Sequence, residues 1–158
     1  MTPLLSVVIP VRNEAQALPA LLDDLAALRA AGAELIVVDG GSSDGTVERV
    51  QGRADQVLKA EPGRALQMNA GAASAQGEYL WFVHADTRAT GPSLRRLQDV
   101  LQQRPLWGRF DVRLSGPGVA FRVIGTMISL RSRLTGIASG DQGIFVRKTA
   151  FIALGGYA

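Results

Sequence analysis

The sequence predicts an α/β domain with a mostly parallel sheet that is flanked by helices. Residues 4–10, 35–38 and 79–83 are continuous apolar runs of strand length, which is typical of strands buried on both faces. Segments with helical spacing of apolar residues separate these runs, so the elements follow the order β-α-β-α-β-α-β. Such alternation favours parallel pairing, because a helical crossover brings the chain back to the end of the sheet where the previous strand began.

The composition fits one globular domain and excludes several classes of protein. The chain has 158 residues, of which 47% are hydrophobic and 20% charged, and this balance excludes wholesale disorder. The absence of cysteine excludes disulfide scaffolds, thiolate metal sites and cysteine nucleophiles, and the single histidine, His84, excludes metal sites built from several histidines. The net charge of +3 is too small to indicate a nucleic-acid partner, so we expect none.

The first third of the chain contains a clear strand–helix–strand unit. Pro10 ends the first strand, and Asn13 is the predicted N-cap of a helix that has Glu14 in its first turn. Leucines then recur at helical spacing until Gly32 ends the helix. The elements that follow are a strand at 35–38 ending at Asp39, a glycine- and serine-rich loop at 40–45 and a short helix at 46–50.

The rest of the chain continues the alternation. Gln56–Lys59 is a predicted third strand, and Pro62 and Gly63 break the chain before an alanine-rich helix at 64–75. After the strand at 79–83, Ser93 is the predicted cap of another helix. The remaining predicted elements are a strand at 107–114, an apolar helix at 118–134, a strand at 143–147 and a helix at 149–154.

Polar residues follow three of the predicted strands. In an open α/β sheet, ligands bind beyond the carboxyl ends of the strands. We therefore expect these side chains to outline one polar cleft. They are Asn13 and Glu14 after the first strand, Asp39, Ser42 and Asp44 after the second, and His84 and Asp86 after the fourth.

Five segments form a recognisable series along the chain. They read SVVIPVRNE at 6–14, VVDGGSSDGT at 37–46, GRALQMNAG at 63–71, HAD at 84–86 and GGY at 155–157. This series resembles the motifs of the family 2 glycosyltransferases, inverting enzymes with the GT-A fold, and HAD stands where that family carries its D-x-D. The third and fourth segments resemble a bacterial subfamily of arsenosugar-biosynthesis glycosyltransferases. The resemblance implies one Rossmann-like domain over residues 1–158, with a nucleotide-sugar-binding part at 1–90 and an acceptor-side part at 91–158.

The resemblance also implies a nucleotide-sugar donor, with UDP as the expected nucleotide. The family's matching aspartate accepts the N3–H of uracil, a role that falls here on Asp39, although Asp39 can instead cap its own loop through an Asx-turn. Asp44 either contacts the donor or shapes its turn, and Arg64 at a helix start is either a cation for phosphate or a solvated arginine. The donor-binding residues expected from the sequence are Pro10, Asn13, Glu14, Asp39, Asp44, Arg64 and His84.

A divalent cation is the expected cofactor, because it offsets the charge that develops on a diphosphate leaving group. Asp86 is the expected ligand, since a carboxylate oxygen suits Mg²⁺ or Mn²⁺. His84 occupies the place of the first aspartate of the family's motif. It either joins Asp86 as a metal ligand, which would favour Mn²⁺, or donates a hydrogen bond to the ribose or to a backbone carbonyl.

This chain departs from the family at the segment that supplies the general base. In the family, an acidic pair shortly beyond the Gly-Gly-Tyr position deprotonates the acceptor hydroxyl. That segment would follow Ala158, so we expect this chain to lack its C-terminal part. Asp141, in GDQG at 140–143, is the candidate catalytic residue that would substitute for the base; it can also bind the unknown acceptor or serve as a turn residue between glycines.

Two other functions compete with an inverting glycosyltransferase. One is a catalytically incomplete module that binds a nucleotide sugar. The other is a nucleotidyltransferase, which needs a glycine-rich phosphate loop after the first strand, whereas Pro10 is followed here by Val11, Arg12 and Asn13.

The helix at 118–134 is too apolar for a simple surface helix. It carries Arg122, Arg131 and Arg133 beside its apolar residues, a pattern that favours anionic lipid head groups. We expect either peripheral membrane contact or burial of this helix by another part of the protein. No secretory signal is visible, so the expected location is the cytoplasm, with membrane association through this helix.

Overall fold

The computed structural model describes residues 2–111, 119–135 and 143–158. A six-stranded sheet has the strand order β3-β2-β1-β4-β6-β5. The strands are β1 (Leu5–Val11), β2 (Glu34–Asp39), β3 (Gln56–Lys59), β4 (Tyr79–Phe82), β5 (Trp107–Gly108) and β6 (Phe145–Arg147). The helices are α1 (Leu18–Ala30), α2 (Arg64–Ser74), α3 (Gly91–Gln102), α4 (Val119–Thr135) and α5 (Lys148–Ala153), with one 3₁₀ turn at Glu48–Val50.

The sheet is mostly parallel, as the sequence predicted. β1 pairs in parallel with β2 and with β4, and β2 pairs in parallel with β3. β6 runs antiparallel to β4 and to β5. The chain moves outward from β1 to β3, and α2 then returns it to β4 on the other side of β1. The strand order therefore reverses at β1, which is where open α/β sheets bind ligands.

Helices cover both faces of the sheet. The leucines of α1 and α3 pack on one face, against the odd-numbered residues of β1 and β2. α2 and α5 pack on the other face, against residues such as Val8 and Phe82. Gly71 lets α2 approach the sheet closely, because a Cβ on this residue would lie 2.4 Å from Val8 Cγ1. A larger residue at position 71 would therefore push α2 away from β1.

Two predicted helix caps are wrong. α1 begins at Leu18 after Ala17, and not at Asn13, whose φ of +56° and side chain belong to a loop. α3 begins at Gly91 with Thr90 as its N-cap residue, so Ser93 lies inside the helix. A proline in the first turn of α3 favours this earlier start, because its fixed φ suits a helix and its missing N–H costs nothing there.

The other element boundaries agree closely with the sequence, with two exceptions. The short helix expected at 46–50 is a single 3₁₀ turn, and the strand expected at 107–114 is limited to β5 within the described residues. No helix in the described part of the chain is long and apolar enough to cross a bilayer.

Candidate functional site

The carboxyl ends of β1, β2 and β4 lie at the same edge of the sheet. Val11 at the end of β1 is in register with Asp39 at the end of β2, and Val8 of β1 pairs with Phe82 at the end of β4. The loops that follow these strands are therefore neighbours. They carry the polar residues that the sequence assigned to one cleft, at 12–15, 40–46 and 84–90.

Asp39 is buried and its carboxylate organises the loop that follows β2. Its side chain accepts hydrogen bonds from the backbone N–H of Gly41 at 3.2 Å and of Ser42 at 3.1 and 3.2 Å. Gly41 has a φ of +87°, so this turn requires a glycine. Asp39 thus forms the Asx-turn that was one of the two roles expected for it. This turn does not exhaust the acceptor capacity of the carboxylate, which has about four lone-pair sites.

Reciprocal hydrogen bonds join the loop after β1 to the loop after β2. The backbone N–H of Asn13 donates to Ser42 Oγ at 2.9 Å, and the N–H of Ser43 donates to Asn13 Oδ1 at 2.9 Å. One residue further along, the N–H of Glu14 donates to Thr46 Oγ1 at 2.9 Å. The two loops therefore form one connected unit beside Asp39.

Asp44 belongs to the same unit. It accepts hydrogen bonds from the N–H of Ala15 at 3.1 Å and from the hydroxyl and N–H of Thr46. The Thr46 hydroxyl, with these backbone donors, holds the pKa of Asp44 below its usual range. Its carboxylate is thus ionised at neutral pH and turned towards the protein's own loops.

Gln67 is a site residue that the sequence analysis missed. Its side chain is buried, and Nε2 donates to the carbonyls of Val11 and Val38, each at 2.8 Å. Its Oε1 lies so close to Gly40 that a Cβ there would be 2.8 Å away. Gln67 thus clamps the carboxyl ends of β1 and β2 to α2. Its position one helical turn before Gly71, on the face that packs on the sheet, is the signal that could have identified it.

Replacing Gln67 by methionine is expected to lower the free energy of unfolding by about 1–3 kcal/mol, because two buried carbonyls lose a donor. Urea unfolding measures this change. Gln98→Met on the exposed surface of α3 is the matched control and should leave stability nearly unchanged. Equal stability of the two variants would show that the clamp contributes nothing.

The start of α2 also lies at this edge of the sheet. Gly63 is its N-cap residue, with a φ of +149°, and Arg64 is the first helical residue and is exposed. An exposed guanidinium beside a helix N-terminus suits an anion. Pro10, a predicted donor-binding residue, is buried within β1, where it pairs with Val38.

The loop after β4 carries His84 and Asp86. His84 is half-buried and Asp86 is exposed, and the N–H of Thr87 donates to the His84 carbonyl at 3.0 Å. In the ranges that the structure describes, no group of three or more His, Cys, Asp or Glu could hold a metal ion by itself. Asp141, the candidate base, lies outside the described residues.

The Gly-Gly-Tyr segment is joined to α2 by Asn69. Asn69 Nδ2 donates to the Tyr157 carbonyl and Asn69 Oδ1 accepts from the Tyr157 N–H, both at 2.9 Å. A Cβ on Gly156, whose φ is +79°, would lie 2.7 Å from Asn69 Oδ1. The Tyr157 ring packs edge-on against Phe82 with the centroids 5.1 Å apart, and burial raises its pKa. Asn69 therefore connects α2 to the segment that follows α5.

Two comparisons of sequence describe what the chain is similar to. The sequence model of "Glycosyl transferase family 2" matches residues 6–153. The chain is 35% identical over 135 residues to an uncharacterized glycosyltransferase of Mycobacterium tuberculosis, covering 78% of this chain and 50% of that protein. It is 30% identical over 159 residues to the undecaprenyl-phosphate 4-deoxy-4-formamido-L-arabinose transferase of Yersinia pestis, covering 90% of this chain and 47% of the relative. The chain thus spans about half the length of these relatives.

Solved structures share the fold. TarS of S. aureus, residues 1–349 in complex with UDP, superposes with a TM-score of 0.75 at 22% identity, over 97% of this chain and 49% of that one. A mannosyltransferase of Pyrobaculum calidifontis in complex with GDP-Man and Mn²⁺ gives a TM-score of 0.73 at 22% identity, over 100% of this chain and 48% of that one. At this level of identity the likeness concerns the fold.

Proposed function

The chain belongs to glycosyltransferase family 2 and has the GT-A fold, and on that premise we propose that it binds a UDP-sugar and serves an inverting glycosyl transfer to an acceptor hydroxyl. The observation that carries this proposal is the gathering of Asp39, Arg64 and Asp86 at one edge of the sheet. Asp39 is the last residue of β2, and Arg64 and Asp86 lie on the segments that follow β3 and β4. These three groups have the chemistry that a uracil ring, a diphosphate and a divalent cation each need.

The donor is recognised at two points. Asp39 accepts the N3–H of uracil while its remaining lone pairs keep the hydrogen bonds to Gly41 and Ser42. Arg64, together with the N-terminus of α2, offsets the charge of the diphosphate. Asn13 and Asp44 act on the donor through the loops that they join.

The donor set fits a divalent cation that arrives with the diphosphate. Asp86 offers an exposed carboxylate and His84 an imidazole two residues earlier, and Mg²⁺ and Mn²⁺ commonly take only one or two protein ligands beside waters and phosphate oxygens. Asp86, with His84, would hold the ion, which when bound supplies charge compensation for the leaving diphosphate.

The transfer itself is a single displacement. The acceptor oxygen forms a bond to the anomeric carbon, the bond from that carbon to the diphosphate breaks on the opposite side, and a base takes the acceptor proton. Arg64 stabilises the diphosphate as its charge grows. Asp141 is our candidate for the base, on the sequence alone.

A thermal-shift screen of UDP, GDP, ADP and CDP, each with MnCl₂ and with EDTA, tests the function. A ligand at 100 times its Kd stabilises a protein by about 2.7 kcal/mol, which raises the melting temperature by several degrees. Selective stabilisation by UDP with Mn²⁺ is the expected result. Indifference to every nucleotide would overturn nucleotide-sugar binding, and a preference for GDP would overturn the assignment of UDP.

The surface of α4 combines exposed apolar side chains with an exposed arginine. α4 exposes a stripe of apolar side chains, while Gly125 and Ser129 are buried on its other side. We propose that this stripe, with Arg131 beside it, lies on an anionic membrane surface. The name of the Yersinia relative, a transferase for undecaprenyl phosphate, supports a lipid-linked acceptor. The exposed side chains are Val123, Ile124, Met127, Leu130 and Leu134.

Flotation with lipid vesicles tests this membrane contact. The protein is expected to float with anionic vesicles, less so at high salt, and to lose binding in Leu130→Asp and in Arg131→Glu. Leu154→Asp, at an even more exposed leucine that follows α5, is the control and should bind as before. A protein that ignores anionic vesicles would mean that another part of the protein covers α4.

A further inference from the structure

The loop that carries His84 and Asp86 is bound to α1 by a charged contact. Asp24 of α1 accepts two hydrogen bonds from Arg88, from Nε at 2.7 Å and from Nη2 at 2.9 Å. The same carboxylate accepts the backbone N–H of Ala89 at 3.0 Å. Both oxygens of Asp24 are thus used by two successive residues of the loop.

Asp86 lies between two anchors of this loop. On one side, the N–H of Val83 donates to the Val8 carbonyl at 3.0 Å, which ties the end of β4 to β1. On the other side, Ala89 is 6% exposed and belongs to the hydrophobic core that includes leucines of α1 and α3, and its own N–H donates to Asp24. Asp86 itself is exposed, so its position depends on the backbone that these anchors hold.

The contact is better suited to orienting the loop than to stabilising the fold. The Arg88 side chain is 64% exposed, and ion pairs at exposed positions contribute little to stability. A bidentate contact between a guanidinium and a carboxylate nevertheless fixes the relative orientation of the two groups as well as the distance between them. The guanidinium holds the pKa of Asp24 below its usual range, so the carboxylate is charged at neutral pH.

We propose that Asp24 and Arg88 are positioning residues that hold the loop of His84 and Asp86 in the orientation needed for metal-dependent donor binding. This inference rests on the proposed function. It assigns a role in donor binding to a helix on the opposite side of the sheet from α2, through a pair that does not touch the donor.

α1 supplies a matched control at the preceding residue. Asp23 forms an ion pair with Arg53, which follows the 3₁₀ turn and is remote in the chain from the loop after β4. The Asp23 side chain is 77% exposed, whereas that of Asp24 is 16% exposed. Asp23→Asn therefore removes a charge and an ion pair from the same helix while leaving in place the hydrogen bonds that Asp24 accepts from Arg88 and Ala89. Because Asp23 also acts on Arg88 through its charge, this variant controls for the loss of a negative charge near the loop.

The test is isothermal titration of UDP into the protein and its variants, with MnCl₂ and with EDTA, alongside urea unfolding. Asp24→Asn and Arg88→Gln are each expected to raise the Kd for UDP in Mn²⁺ about 10-fold, as changes that misorient a metal ligand do, and to leave the Kd in EDTA unchanged. The double variant should be no weaker than either single one, because both remove the same contact. Asp23→Asn should bind like the unchanged protein.

Each outcome decides the matter. Equal weakening in Mn²⁺ and in EDTA, or no weakening, overturns the inference while the proposed function stands. If Asp24→Asn does not fold, Arg88→Gln carries the test alone, because its side chain is exposed. Failure of the unchanged protein to bind UDP under both conditions overturns the proposed function and this inference with it.

Discussion

Replacing Asp86 by alanine is expected to abolish the Mn²⁺-dependent part of UDP binding and to leave the fold intact. Asp86 is exposed in the loop after β4, so its carboxylate contributes little to the core. Changing a residue that only orients a metal ligand lowers affinity about 10- to 100-fold. The loss of Mn²⁺-dependent affinity in Asp86→Ala should be larger, because the metal ligand itself is removed. Of all the substitutions that the site predicts, this one should have the largest effect.

Titration of UDP with MnCl₂ and with EDTA measures the effect of Asp86→Ala. In EDTA, the variant and the unchanged protein should bind UDP equally well, since the contacts to uracil and to Arg64 persist. Asp99→Ala, an exposed aspartate on α3, controls for the loss of one negative charge. Unchanged affinity and unchanged metal dependence would show that Asp86 is only a loop residue.

The fold was predictable because its central strands, β1, β2 and β4, are buried on both faces. A central parallel strand such as β1 must be apolar at every position, and that signal is strong and local. The two helix caps were not predictable in the same way, because tertiary contacts decided them. Asn13 has good cap chemistry, but its side chain is engaged by the N–H of Ser43, which is 30 residues away in the sequence.

In the candidate site, too, some features could be predicted from the sequence and others depend on tertiary contacts. The placement of Asp39, His84 and Asp86 at one edge followed from strand polarity alone, because parallel strands end together. The supporting contacts did not, since Gln67 reaches Val11 across 56 residues and Arg88 reaches Asp24 across 64. No spacing in the sequence encodes a contact of that kind.

Asp39→Asn is expected to weaken uridine nucleotides far more than it weakens pyrophosphate. Asn retains one side-chain oxygen for the amides of Gly41 and Ser42, but it loses the charge and one acceptor. A hydrogen bond to a charged group contributes about 1.5–3 kcal/mol, which corresponds to about a 10- to 150-fold rise in the Kd for UDP. Pyrophosphate makes no contact with the uracil site, so its Kd should change little.

Asp44→Asn separates base recognition from support of the loop. Asp44 organises the same loop through Thr46 and Ala15, and we propose no contact between it and uracil. Its replacement should therefore weaken UDP and pyrophosphate by the same modest factor, while Asp39→Asn should discriminate between them. If Asp39→Asn also weakens both ligands equally, Asp39 acts only as the Asx-turn residue of its loop. Base recognition must then come from other residues at the carboxyl edge, because the carboxylate of Asp39 would have no direct part in it.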